Sequence, residues 1–137
     1  MVQTLLQPQE IEVFYILPTL RNQLALAMKA HGLKQRQIAD YLQIAPAAVS
    51  QYIHDKRGSK VEFSKPILEE VKKSSQIITD KLTLLREMQR LIRLIKQSGE
   101  MCKIHKQLSP IPQDCSPELI SCFGGDSHAR DAEIPSR

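Results

Sequence analysis

The chain has 137 residues, 42% of them hydrophobic but only 4% aromatic, with no tryptophan, three cysteines and a formal charge of +4. That length allows one ordinary domain with an appendage and excludes two full domains. An odd number of cysteines, all in the C-terminal third, excludes a disulfide-stapled scaffold, and a core of Leu, Ile, Val and Ala suits packed helices better than sheets.

The apolar run Val13–Leu20 is too short to cross a bilayer and no basic-then-apolar leader opens the chain, so a cytoplasmic protein with no membrane partner is expected. Charge is unevenly spread: residues 20–60 hold seven basic and two acidic side chains. Such an excess suits a phosphate-facing surface, although a plain solvated face carries the same signature.

Residues 8–31 read as helical, because Ile11, Phe14, Leu17, Leu20, Leu24 and Ala27 recur at spacings of three and four and Pro8 suits a first turn. Pro18 interrupts the pattern and predicts a kink or two short helices. Gly32 is placed to end the run in a left-handed conformation, with apolar Leu33 next. A second amphipathic piece covers Lys34–Leu42 with Ile38, Ala39 and Leu42 inward; a third covers Pro46–His54 with Val49, Tyr52 and Ile53 inward. Only Gln43–Ala45 separates them, and Asp55–Lys60 reads as a polar turn.

From Ser64 to Ser98 runs the longest periodic segment, with Ser64 as its N-cap and Ile67, Val71, Ile78, Leu82, Leu85, Met88, Ile92 and Ile95 in one stripe. Lys72–Ser75 weakens it and marks a potential break, and Gly99 ends it. A stripe of this length needs a partner surface, which predicts a dimerising helix; packing back on the chain's own helices is the alternative. Beyond Gly99, residues 101–137 turn Pro-, Ser- and Cys-rich and then lose periodicity, as a mobile tail would.

Two short helices crossing steeply need a small residue at their contact, apolar inner faces and a tight turn. Here Ala39 is the small residue, Ile38 and Leu42 fill the first helix's inner face, Ile44 plugs the turn, and Val49 and Tyr52 serve the second helix. This register, with Gln35 at its start and Ala47-Ala48-Val49-Ser50-Gln51-Tyr52-Ile53 as second helix, resembles the Cro/repressor-type helix-turn-helix. Gln43 holds a turn position that favours glycine, and Lys34 and Ala45 stand where Ser or Thr caps are usual. Pro46 partly offsets the missing cap by fixing φ at the first helical position.

The resemblance implies that the second helix enters the major groove of double-stranded DNA. Its candidate base contacts are Ala47 to a thymine methyl, Ser50 to a base or phosphate, Gln51 to adenine N6 and N7, and His54. Lys34, Gln35 and Arg36 before it, and Lys56, Arg57 and Lys60 after it, are the candidate phosphate contacts.

Cys102 and His105 stand three residues apart, with Cys115 and Cys122 following. Three thiolates and an imidazole suit a metal centre, either zinc or an iron–sulfur cluster, although three free thiols are the bland alternative. The order Glu12, Leu17-Pro18, Arg21, helix-turn-helix, long helix, then Cys102-x-x-His105, Cys115 and Cys122 resembles a family of small archaeal predicted transcriptional regulators. Membership implies that the cysteine-bearing segment senses metal or redox state.

The expected fold is thus all-α: a Cro/repressor-like helix-turn-helix domain at 8–62, a long dimerising helix at 63–99, a Cys/His segment at 100–123 and a disordered tail at 124–137. The expected function is a homodimeric, sequence-specific transcriptional regulator, with a protein–protein interaction module (antitoxin-like, or an adaptor of the transcription machinery) on the same helices as the alternative. An enzyme is not expected, because no oxyanion site, phosphate loop or acid–base constellation accompanies Cys102 and His105.

Overall fold

The computed structural model describes residues 4–54, 61–120 and 122, and all regular structure among them is helical. The chain turns into α1 (Pro8–Ile11) where the Gln7 N–H donates to Glu10 Oε1 at 2.8 Å, supplying one of the bonds a helix start lacks. The path then widens into one π turn, Glu12–Ile16, before α2 (Leu17–Ala30). Pro18 accounts for it, since proline has no N–H for the ladder and its ring crowds the carbonyl four residues back. In the wider turn the Leu17 N–H donates to the Glu12 carbonyl, and the Thr19 hydroxyl donates to the Tyr15 carbonyl at 2.7 Å. The interruption expected at Pro18 is therefore a bulge inside one helical run.

Gly32, at φ +103°, closes α2: its N–H donates to the Lys29 carbonyl and the Leu33 N–H to the Met28 carbonyl, the bond pair of a Schellman ending. Then come α3 (Gln35–Leu42) and α4 (Pro46–His54), at the bounds their patterns predict.

The single long helix expected over 64–98 is two helices, α5 (Lys65–Ile77) and α6 (Lys81–Gln97), packed against each other. The break falls after the suspected Lys72–Ser75. The Ser75 hydroxyl donates to the Lys72 carbonyl within the helix, and that of Ser74 donates to Glu87 of α6. Ile77, Ile78 and Thr79 are three β-branched residues in a row, and Asp80 accepts from the Thr83 N–H at 2.8 Å to start α6. Ser64 does not cap α5 with its side chain; its N–H and its hydroxyl both donate to the Glu100 carboxylate.

Gly99, left-handed at φ +85°, leads into α7 (Glu100–Leu108), and a short α8 (Pro117–Ile120) follows. The segment expected only as a Cys/His stretch thus begins with a packed helix, whose Met101, Ile104 and His105 are buried. α2 is the hub, packing on α3, α4 and α5; α6 packs on α5, α7 and α3, and α7 on α1. One apolar cluster consequently runs from Ile11 to Ile104. Its fully enclosed members, among them Leu20, Leu24, Ile38, Leu91 and Ile95, each contribute about 1.5–3 kcal/mol. Much of the stripe meant for a second copy, including Ile67, Val71, Ile78, Met88 and Ile95, is buried in this core. The polar turn expected at 55–60 and the tail at 124–137 lie outside the described residues.

Candidate nucleic-acid interface

α3 and α4 are joined by three residues whose backbone is set by one left-handed position. Gln43 adopts φ +55°, the one non-glycine positive φ among the described residues. The Ile44 N–H donates to the Ala39 carbonyl and the Gln43 N–H to that of Asp40, so α3 ends as α2 does, without the glycine. The Gln43 amide donates to the same Asp40 carbonyl at 2.6 Å, which helps hold a conformation that costs an ordinary residue about 1–2 kcal/mol.

Lys34 makes no side-chain cap, and other bonds steady the two helix starts. The Lys34 N–H donates to Gln37 Oε1 at 3.0 Å, so a glutamine three residues inside α3 reaches back to its first turn. Gln35 Nε2 donates to the Pro46 carbonyl at 2.9 Å, tying the start of α3 to that of α4. Gln35 is exposed and remains beside Lys34 and Arg36, but one amide donor is already engaged within the pair.

All six residues expected to hold the pair together face inward or partly inward. Ile38, Ala39, Leu42, Val49 and Tyr52 are buried, and Ile44 is half-buried against the same cluster. At the far end of α4 the Tyr52 carbonyl accepts from Asn22 Nδ2 of α2 at 2.5 Å. This buried asparagine, which the sequence reading did not single out, fixes where the last turn of α4 sits.

The opposite side of α4 stays open: Ala47 and His54 are exposed, and Ser50 and Gln51 are half-exposed. Among the described hydrogen bonds none engages the side chain of Ser50 or Gln51. Lys34 and Arg36 are exposed at the beginning of α3. Lys56, Arg57 and Lys60 lie outside the described residues.

In the Cys/His segment the histidine already has a partner within the chain. His105 is only 5% exposed, and its Nε2 lies 2.6 Å from the Leu6 carbonyl, to which it donates. The Ser109 hydroxyl accepts from the Leu6 N–H at 2.8 Å, so α7 grips both polar groups of one N-terminal residue. The role assigned to His105 as a metal ligand thus competes with a structural one. Cys102, Cys115 and Cys122 are half-buried free thiols. Burial first, and the neighbouring Cys115, push the Cys102 thiol up; burial first, and Cys102, do the same to Cys122. Cys115 and Cys122 also line, with His105, Leu6 and Ile111, a cavity of about 490 Å³. Among the described residues no group of three or more His, Cys, Asp or Glu side chains is disposed to hold a metal ion.

No helix among the described residues is long and apolar enough to cross a membrane. No family model, curated protein or solved structure matches the chain.

Proposed function

We propose that the chain is a sequence-specific DNA-binding transcriptional regulator of the Cro/repressor-like helix-turn-helix type, reading the major groove with α4. The observation that carries the reading is the division of α4 into two faces. Val49 and Tyr52 are locked into the core while Ala47, Ser50, Gln51 and His54 remain accessible, beside exposed Lys34 and Arg36. Polar side chains fixed on a rigid helix, flanked by cations, are what base-edge recognition with phosphate anchoring requires. Two copies on one operator set the half-sites of an inverted repeat roughly 10 bp apart, or a multiple of that.

Selection of binding sites from random duplexes, followed by titration across salt, tests this. The expected result is an enriched inverted repeat with a log–log salt slope of about −0.9 per phosphate contact. Enrichment of no sequence, with equal affinity for every duplex, would contradict it.

For the C-terminal segment we propose metal sensing by the three thiols alone, with His105 staying on Leu6. Cys115 and Cys122 line one cavity, and Cys102 stands on the adjoining α7 as a third free thiol, a soft donor set that suits zinc or an iron–sulfur cluster. Among the described residues the thiols are not preassembled as a ligand set, so a metal would have to draw them together. Elemental analysis of protein prepared without oxygen should show metal in the native chain and none in Cys102→Ser/Cys122→Ser. Equal content in both would remove the proposal.

A further inference from the structure

The outer face of α6 has a composition that neither the core nor the DNA-reading surface accounts for. Leu82 and Leu85 are 66% and 63% exposed, and Ile92, two turns further along the same side, is half-buried. Around them stand Lys81, Arg86 and Arg93, all exposed and none in an ion pair among the described residues. The remaining cations of this helix are engaged: Arg90 with Glu70 and Glu87, Lys96 with Glu12. Within Lys81–Gln97 the single acidic residue is Glu87, which is buried. Asp80, just before the helix, is committed to Thr83. The face is therefore an apolar pair ringed by three cations outside any ion pair, of which Arg86 alone also feels the Asp80 and Glu87 carboxylates.

We infer that this face docks an acidic amphipathic helix of a protein partner. Charge decides among the occupants. A second copy pairing through α6 would bring Arg86 and Arg93 against cations of its own kind, which is disfavoured where water is excluded. Duplex DNA would match the cations and leave Leu82 and Leu85 against a polar backbone. An anionic membrane would match both, but two leucines insert too little apolar area to hold a helix at a bilayer surface. A partner helix with leucines on one side and carboxylates on its flanks covers the apolar pair and neutralises the ring in one contact. The inference does not depend on the DNA reading.

The test uses the full chain and a short labelled helical peptide with leucine on one face and glutamate on the other, read by fluorescence anisotropy. A matched peptide with lysine for glutamate, and vesicles of mixed phosphatidylglycerol and phosphatidylcholine, run beside it. The acidic peptide should bind, the basic one should not, and Arg86→Glu/Arg93→Glu should weaken binding by at least about tenfold. Leu85→Ser should weaken it as well, with an unchanged circular dichroism melt showing that the chain is folded. The charge control Lys29→Glu/Lys72→Glu, on exposed positions of α2 and α5, should stay within about twofold. Four results would overturn the inference: equal binding of both peptides, equal losses in the control, vesicle binding in place of peptide binding, or a dimer in sedimentation that Leu85→Ser abolishes.

Discussion

Two helix pairs in this chain are each joined by three residues, and they are held together in opposite ways. α3 and α4 meet through apolar side chains, Ile38, Ala39 and Leu42 against Val49 and Tyr52, and keep their polar groups outside. α5 and α6 bury polar groups between them: the Ser74 hydroxyl donates to Glu87 at 2.6 Å, and Arg90 donates to Ser74, Glu87 and Glu70. The connectors differ too, a left-handed Gln43 in one and an extended Ile78 followed by an Asp80 cap in the other. The first pair leaves a polar surface free for a ligand. The second uses its polar residues on itself, which fixes the register of two helices but makes that fixity sensitive to acid. Function and fixation are thus divided between the pairs.

The largest loss is expected from emptying the apolar seam. Ile38→Ala should cost about 2–5 kcal/mol in denaturant unfolding, because Ile38 is fully enclosed. Next, Glu87→Ala should cost about 2–3 kcal/mol, removing hydrogen bonds to a buried charged group and leaving Ser74 and Arg90 without their shared acceptor. A loss below 0.5 kcal/mol, the ordinary surface range of about that size, would show that the polar clamp fixes nothing.

Acid sharpens the same contrast. Burial raises the Glu87 carboxyl, but the Ser74 and Arg90 hydrogen bonds together outweigh it and leave the pKa below its usual value. A carboxyl lowered in the folded state stabilises above its unfolded pKa, and that contribution is lost as pH falls through the folded value. Stability should therefore decline as pH drops below the ordinary carboxylate range. Glu87→Gln, measured by melts across pH, should flatten that decline, whereas Asp40→Asn on exposed α3 should leave it intact.

A smaller effect is expected on the open side. Gln51→Ala should leave stability within about 0.5 kcal/mol and remove about 1–3 kcal/mol of discrimination at one base pair. Arg36→Ala should weaken all duplexes alike and lower the salt slope by about one. The smallest effect is at the turn: Gln43→Gly relieves the left-handed strain, loses one side-chain bond, and should raise stability by about 0.5–1 kcal/mol.

The first pair was legible from the sequence because its determinants are local. Ile38, Ala39, Leu42, Val49 and Tyr52 carry the helical period, and Gln43 stands where a positive φ is needed. The second pair was half legible. The apolar stripe gave helix, but Lys72–Ser75, which weakened it locally, lie inside α5, where Ser74 found Glu87 thirteen positions away. The cap Asp80 with Thr83 and the β-branched run before it were the readable signals of the break. α7 was missed although Met101, Ile104, His105 and Leu108 repeat at helical spacing, because Cys102 and His105 at the same spacing also suit metal ligation. That His105 donates to Leu6, ninety-nine positions away, leaves no local trace at all. Asn22 is hidden in the same way, being an ordinary polar residue until the Tyr52 carbonyl arrives above it.

DNA reading by α4 requires Gln51 to meet a base edge, and a cycle of two changes tests that contact alone. On the selected operator, each adenine in turn is replaced by 7-deazaadenine, which keeps N6 and lacks the N7 acceptor, and affinities are measured for the native chain and for Gln51→Ala. One position should weaken the native chain by roughly tenfold and leave Gln51→Ala unaffected, as expected when both changes remove the same bond. If every position weakens both proteins equally, or none weakens either, α4 does not read DNA through Gln51.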